Sequence, residues 1–425
     1  MLSRRELLLR GSALVGASAL SGLPDWSKRA VALPQSRLPD PASSGIDHVI
    51  VVTMENRSFD HFLGWLPGAD GRQDGLVFDD AAGVSHETHH LTEFQGCGFS
   101  DPDHSWEGGR VEYDNGACDG WLRAGANDEF AIGYYTASDL AFYAKAAPHW
   151  TVCDRYFAAI MAETYPNRFY MHSAQTDRLH NGEGPAISTL PTIWDQLQAG
   201  GRTGRYYYSD VPFTALWGSK YSPISQPVKK FFSACATGTL PDVAYVDPRF
   251  LGEGSGTSGD DHPHADIRVG QRFLSTIYDA VTTGPAWSRT MLIITYDEWG
   301  GFFDHVAPPV ASDANPKARL RGFRVPCIVV SPRARRRHVA HNVYDHTSIL
   351  KLIEWRFGLP ALTVRDAHAR NLAEVLDFAR APRLAAPRWK VPPAVGLACA
   401  PANPADYEEW NALVDRARTT GWELG

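Results

Sequence analysis

Two apolar strands that each run straight into acids constrain this chain more than anything else in it. The first, Val49-Ile-Val-Val-Thr53, is β-branched and free of Gly and Pro, which predicts a strand buried on both faces of a parallel sheet. Glu55 and Asn56 follow just past its end. The second, Met291-Leu-Ile-Ile-Thr-Tyr296, lies far along the chain and leads into Asp297 and Glu298. In open α/β sheets, ligands gather beyond the carboxyl ends of strands. Either pair alone fits a turn, since Asn and acids favour turns. Together, carboxylates crowded at one sheet edge raise one another's pKa and call for a counter-charge. A divalent cation held by Glu55, Asn56, Asp297 and Glu298 supplies it. Oxygen ligation suggests Ca, Mg or Mn, and Zn accepts carboxylates too.

The rest of the chain alternates strand and helix patterns. Helices are predicted over 138–147, from the Thr164-Tyr-Pro-Asn167 start to 174, and over 192–199, 266–283 and 345–357. A last helix starts at Asn403-Pro404 and buries Tyr407, Trp410, Leu413 and Val414. Further strands are predicted at 150–158, 205–209, 242–247 and 323–331. The alternation implies an α/β fold, a mostly parallel central sheet with helices on both faces. Residues 62–128 are rich in Gly, Asp, His and Trp without periodicity, and read as a loop-rich insertion over the active-site edge. Thr164 is expected to cap its helix, which puts its hydroxyl beside free N–H groups that favour anions.

Residues 1–32 read as a twin-arginine signal peptide, with Ser3-Arg-Arg-Glu-Leu-Leu-Leu9, a mild apolar stretch and Ala30-Val-Ala32 as the cleavage site. The apolar stretch is too short and too rich in Gly and Ser to be a stable membrane span. The predicted partner is the twin-arginine export machinery, and the destination is the periplasm, the cell wall or the medium. Removing this segment takes the formal net charge from −7 to −10. A surface this acidic argues against nonspecific nucleic-acid binding and against docking on anionic lipid, and leaves zwitterionic lipid or a small phosphate ester. The remaining divisions are a linker over 33–45, one large domain over 46–380, and a C-terminal extension over 381–425 packing on that domain. Export permits disulfides among the six cysteines. Cys97 and Cys118, in one Gly/Asp-rich loop region, are the expected pair, and Cys327 in Val325-Pro-Cys-Ile-Val-Val330 is expected to be a packed thiol.

Sixteen histidines include several beside acids: Asp103-His104, Asp260-Asp-His-Pro-His264, Asp304-His305 and Asp345-His346. A lone His is usually structural, but an acid partner raises its basicity and suits it to ligation or to protonating a leaving oxygen. Phosphate-ester cleavage uses all these parts. Thr164 attacks phosphorus in line, cationic groups offset the charge on the equatorial oxygens, and a His protonates the departing alcohol.

These residues carry a resemblance. Met54-Glu-Asn-Arg-Ser-Phe-Asp-His-Phe-Leu-Gly64, Thr164-Tyr-Pro-Asn-Arg168, Asp261-His-Pro263, Thr295-Tyr-Asp-Glu-Trp-Gly-Gly-Phe-Phe-Asp-His-Val306 and Tyr344-Asp-His-Thr-Ser-Ile-Leu350 resemble the bacterial phosphoesterase family. That family contains phosphatidylcholine-type phospholipases C and acid phosphatases, within the alkaline phosphatase-like superfold. The resemblance implies metal ligation by Glu55, Asn56, Asp297 and Glu298 and a covalent phospho-threonine at Thr164. It implies His104 and His262 at the phosphoryl or leaving group, with Asn56, His264 and His346 as substrate contacts and His305 as a further one. Ala162-Glu163 stands where family members often have Gly-Pro, placing an extra carboxylate beside the nucleophile. Trp65, Trp106, Trp299, Phe302 and Phe303 flank the motifs and are expected to form an apolar mouth, which favours a phospholipid substrate. Soluble phosphate monoesters, or metal binding without turnover, are the alternatives.

Overall fold

The computed structural model describes residues 38–400, 409–422 and 424. The predicted export signal, Tyr407 and the predicted start of the last helix lie outside these residues. An eight-stranded sheet forms the core. In chain order its strands are β1 (His48–Met54), β2 (Thr151–Cys153), β3 (Gly204–Tyr208), β4 (Ser225–Pro227), β5 (Val243–Val246), β6 (Thr290–Tyr296), β7 (Cys327–Val330) and β8 (His338–Ala340). Their spatial order is β8-β2-β7-β6-β1-β5-β3-β4. The central pair runs parallel, with Val49 opposite Met291 and Met54 opposite Tyr296. Only β7 runs against its neighbours, so the sheet is mixed and mostly parallel. β1 and β6 are buried along almost their whole length, as β-branched runs flanked on both faces must be.

Alternation along the strands places a helical layer on each face. On one, Thr53 and Tyr245 contact Met171 of α2 (Thr164–Ser173). On the other, Tyr296 packs on Phe62 and Tyr143, with Phe62 in α1 (Phe59–Leu63). Behind Tyr143, Phe142 meets Tyr278 of α5 (Ile267–Thr283). α5 is capped by Asp266, whose side chain accepts from the Arg268 amide, and it buries Ile267, Leu274, Ile277 and Val281. Each such side chain contributes about 1.5–3 kcal/mol by leaving water. The longer helices that remain are α3 (Ile193–Ala199), α4 (Val228–Thr237), α6 (His346–Phe357) and α7 (Glu409–Thr419). No helix among the described residues is long and apolar enough to cross a membrane.

Several sequence expectations change. Over 138–147 only Tyr143–Ala146 is helical, and 150–158 breaks into β2 and a two-residue strand that pairs with Tyr344–Asp345. The strand expected over 323–331 is shorter and antiparallel. The Cys97–Cys118 pairing is overturned: Cys97 joins Cys399. Cys118 is instead buried with Phe78, Trp121 and Phe303. The chain after residue 380 runs back along the molecule, with Trp389 on Tyr278 and the Cys399 amide bonded to the Ser255 carbonyl, which brings Cys399 to Cys97. Cys327 is a buried free thiol, as expected.

Candidate active site

Three adjacent parallel strands end side by side, β5, β1 and β6. Each delivers a carboxylate in its next residue: Asp247, Glu55 and Asp297. Arg168, one turn into α2, inserts between them, 3.1 Å from Glu55, 3.2 Å from Asp247 and 2.8 Å from Asp297. Its guanidinium lies over the rings of Phe250 and Trp410, which stack 3.9 Å apart. The Trp410 indole donates to Glu55 Oε2 at 3.3 Å. Glu253 and Asp260 also approach Glu55, and one oxygen from each of the three lies within 4.8 Å of the others. Asn56 turns the chain here at φ 58, a conformation Asn tolerates and most residues avoid. Gly300 packs so closely against it that a Cβ would fall 2.2 Å from the Asn56 carbonyl oxygen, so only glycine fits.

Acids outnumber guanidinium groups in this ring among the described residues. One guanidinium faces Glu55, Asp247 and Asp297, with Glu253, Asp260 and Glu298 close by. Burial, then the charge of Asp297, holds Glu55 well above the usual carboxylate range against the pull of Arg168. Burial likewise raises Glu298 and pushes Asp260 up to about 7. Asp260 Oδ2 and Glu298 Oε1 are buried without a hydrogen-bond donor among the described residues. Glu55 Oε1 has the Arg168 ion pair but no well-directed hydrogen bond. Buried carboxylates in this state are stabilised by a cation, so these residues can hold a metal ion.

Thr164 is fully buried and sends its hydroxyl to Asn56 Oδ1 at 3.5 Å. It is the first residue of α2; Glu163, not Thr164, occupies the capping position, and the Thr164 hydroxyl is directed to Asn56. Asn167 clamps the preceding turn, accepting from Ile160 and donating to the Ala162 and Glu163 carbonyls. The Glu163 carboxylate turns to the Asn181 amide, 2.6 Å away, and burial raises its pKa. Burial favours the neutral carboxyl, while the Asn181 amide fixes where the carboxylate points.

The histidines separate into different settings. His104 and His262 face each other with ring centres 6.4 Å apart. His104 Nδ1 bonds the Pro102 carbonyl, and His262 Nε2 lies 3.3 Å from Asp101. Burial and then the neighbouring His264 and His104 hold His262 well below the usual histidine range. His264 is buried and bonds the Phe99 carbonyl. His346 is buried with both ring nitrogens engaged, by the Asp297 carbonyl at 2.5 Å and the Tyr156 hydroxyl at 3.1 Å. Burial takes it down to about 4, so it is a neutral brace under Asp297. His305 joins a separate cluster with Asp60, Asp304 and Arg324.

Sequence reasoning missed Arg168, Asp247, Glu253 and Trp410. Arg168 and Asp247 were in view, one inside the Thr164 motif and one at a strand end; Glu253 and Trp410 reach the site only through the fold. The apolar mouth is corrected for three of its five members. Trp299, Phe302 and Phe303 are completely buried and belong to the core, because the positive φ of Gly300 and Gly301 folds them back under the insertion. Trp65 and Trp106 are part-exposed.

A family model described as Phosphoesterase family matches residues 46–360. The chain is 30% identical over 476 residues to Phospholipase C B of Mycobacterium tuberculosis, covering 92% of this chain and 88% of that protein. It is 30% identical over 390 residues to Non-specific phospholipase C6 of Arabidopsis thaliana, covering 81% and 74%. A solved structure of a protein in the alkaline phosphatase superfamily from Vibrio parahaemolyticus aligns over 88% of this chain and 79% of its own, at 10% identity and a TM-score of 0.41.

Proposed function

The chain belongs to the phosphoesterase family, and from that premise we propose that it hydrolyses phospholipid-type phosphate diesters with Thr164 as the nucleophile. The observation that carries this reading is the Thr164 hydroxyl beside Asn56, the residue that follows Glu55 at the end of β1. Glu55, Asn56 and Asp297, with Glu298 beside them, would hold a divalent ion, which when bound supplies positive charge for the hydroxyl and the phosphoryl oxygens. Thr164 Oγ1 passes its proton to a carboxylate of the acid ring and forms a bond to phosphorus as the bond to the leaving alcohol breaks, and the alcohol oxygen takes a proton from His104, with His262 beside it. Water then attacks the phospho-threonine, His104 receives its proton, and the departing Thr164 oxygen recovers the proton held by the carboxylate. Arg168 holds Glu55 and Asp297 in place, and His346 fixes the backbone beneath them. Asn56 and His264 complete the substrate side of the site.

The names of the relatives favour a phospholipase C type of substrate. The burial of Trp299, Phe302 and Phe303 favours a second reading, a phosphatase on soluble monoesters, because it removes most of the apolar mouth. Work outside the cytoplasm after twin-arginine export is supported by the Cys97–Cys399 bond, since disulfides persist in oxidising compartments.

The test is hydrolysis of phosphatidylcholine and of p-nitrophenyl phosphate by purified protein, with Ca, Mg, Mn or Zn added in turn. Diester cleavage that disappears in Thr164→Ala is the expected result. Activity on the monoester alone selects the second reading, and full activity of Thr164→Ala sinks the nucleophile assignment.

A further inference from the structure

At the opposite edge of the sheet from the acids lies a pocket built of arginine. The antiparallel turn from β7 places Ser331 on the Thr290 carbonyl, at the start of β6, whereas the acid ring follows the end of β6. The strand between spans about 20 Å. Beyond Ser331 the sequence reads Arg333-Ala-Arg-Arg-Arg-His338. Together with Arg380 and Arg383, this run lines a cavity of about 310 Å³ whose one acid is Asp377.

The arginines there are not matched by acids. Elsewhere Arg123, Arg155, Arg289 and Arg365 each reach a carboxylate. In this pocket Arg380 lies 3.5 Å from Asp377. Arg333 bonds the Arg380 carbonyl while its buried Nε has no acceptor among the described residues. Arg335, Arg337 and Arg383 have no side-chain partner among those residues. Arg336 acts as a brace: it stacks on Trp150 and bonds His149 and the Arg383 and Ala385 carbonyls. Burial, then the charge of Arg383, brings it down to about 10. Burial and then Arg336 and Arg337 lower His149 as well, so the crowding of like charge is unrelieved. Arg337, which lines the pocket, also holds a left-handed backbone, φ 53, which costs an L residue about 1 kcal/mol or more.

An acidic chain that gathers six arginines against one acid has built a local positive field in a concave site. Arginine forks match phosphate oxygens in pairs, and the cavity has room for more than one such group. We propose that this pocket binds a phosphate-bearing anion carrying two or more negative charges, as a site separate from the acid centre.

The probe is methylenediphosphonate, which presents two phosphoryl groups and resists hydrolysis. Calorimetric titration at low salt should give equal binding to the wild type and to Glu55→Gln, whose change lies at the acid centre. The R335A/R383A protein should bind about tenfold or more weakly, and wild-type affinity should fall as salt rises. Its hydrolysis of p-nitrophenyl phosphate should equal the wild type's, because neither side chain braces the fold. Undiminished binding by R335A/R383A, loss of binding in Glu55→Gln, or no binding by the wild type overturns the proposal. Sedimentation with phosphatidylcholine vesicles containing phosphatidic acid then identifies the source. Vesicle binding that R335A/R383A loses assigns a lipid head group; diphosphonate binding without vesicle binding assigns a soluble phosphate.

Discussion

Two buried acid clusters grow from the same two strands and reach opposite electrostatic states. Past β1 come first Glu55 and then Asp60; past β6 come first Asp297 and then Asp304. In the outer cluster all four oxygens of Asp60 and Asp304 accept hydrogen bonds. Arg324 bonds Asp304 at 2.9 Å and Asp60 at 3.0 Å, His305 closes on Asp60 at 2.5 Å, and backbone amides fill the rest. In the inner cluster Arg168 is shared among three acids, and Asp260 Oδ2 and Glu298 Oε1 have no donor among the described residues. An acid pair that the protein itself neutralises is architecture. One left in deficit is where a cation and chemistry belong.

The comparison breaks most sharply on activity. Glu55→Gln keeps the shape of the inner cluster but removes a charge, so hydrolysis should fall by about three orders of magnitude or more. Cation-free thermal stability should hold or rise, because a buried repulsion is gone. A steady-state assay beside a melting curve checks both, and a large loss of melting temperature would place Glu55 with the architectural acids. Arg324→Met should do the reverse. It strands Asp60 and Asp304 and destabilises by about 3–4 kcal/mol, read by urea unfolding, while the protein that remains folded keeps its kcat.

Why the sequence distinguished these clusters only in part is a matter of reach. The strand runs Val49–Thr53 and Met291–Tyr296 are local patterns, so the central pair and the acids past its ends could be placed directly. The helix starts near Thr192, Asp266 and Asp345 were equally local. Arg324 and Arg168 act across the fold, and nothing nearby in sequence says which acids a guanidinium will reach. His305 shows the same limit: its motif groups it with the histidines proposed to serve the leaving group, yet it bonds Asp60. The Cys97–Cys399 bond spans 302 residues, and proximity in sequence pointed to Cys118 instead. The aromatic residues after Glu298 failed as a mouth because composition cannot say which side of a turn faces water.

Cation addition sharpens the contrast at a smaller scale. An ion that binds only the folded chain stabilises it by about 2.7 kcal/mol at a concentration of about a hundred times its Kd. The melting temperature of the wild type and of His305→Gln should therefore rise together when the right divalent ion is added, and that of Glu55→Gln should barely move. A rise lost in His305→Gln but kept in Glu55→Gln would move the ion to the outer cluster.

The smallest effect is the pH dependence of the outer cluster. Burial alone would lower His305, but its hydrogen bond to Asp60 and the charges of Asp60 and Asp304 leave it raised above the ordinary 6.5. A folded value above the unfolded one means that protonated His305 favours the fold. That contribution is complete below pH 6.5 and disappears as the pH rises through the higher folded value. The gap in unfolding free energy between the wild type and His305→Gln should thus be about 1.5 kcal/mol in mild acid, the worth of a charged hydrogen bond, and should close under alkaline conditions. A gap that widens with pH would mean that His305 is neutral in the fold, and Arg324 alone would then balance Asp60 and Asp304.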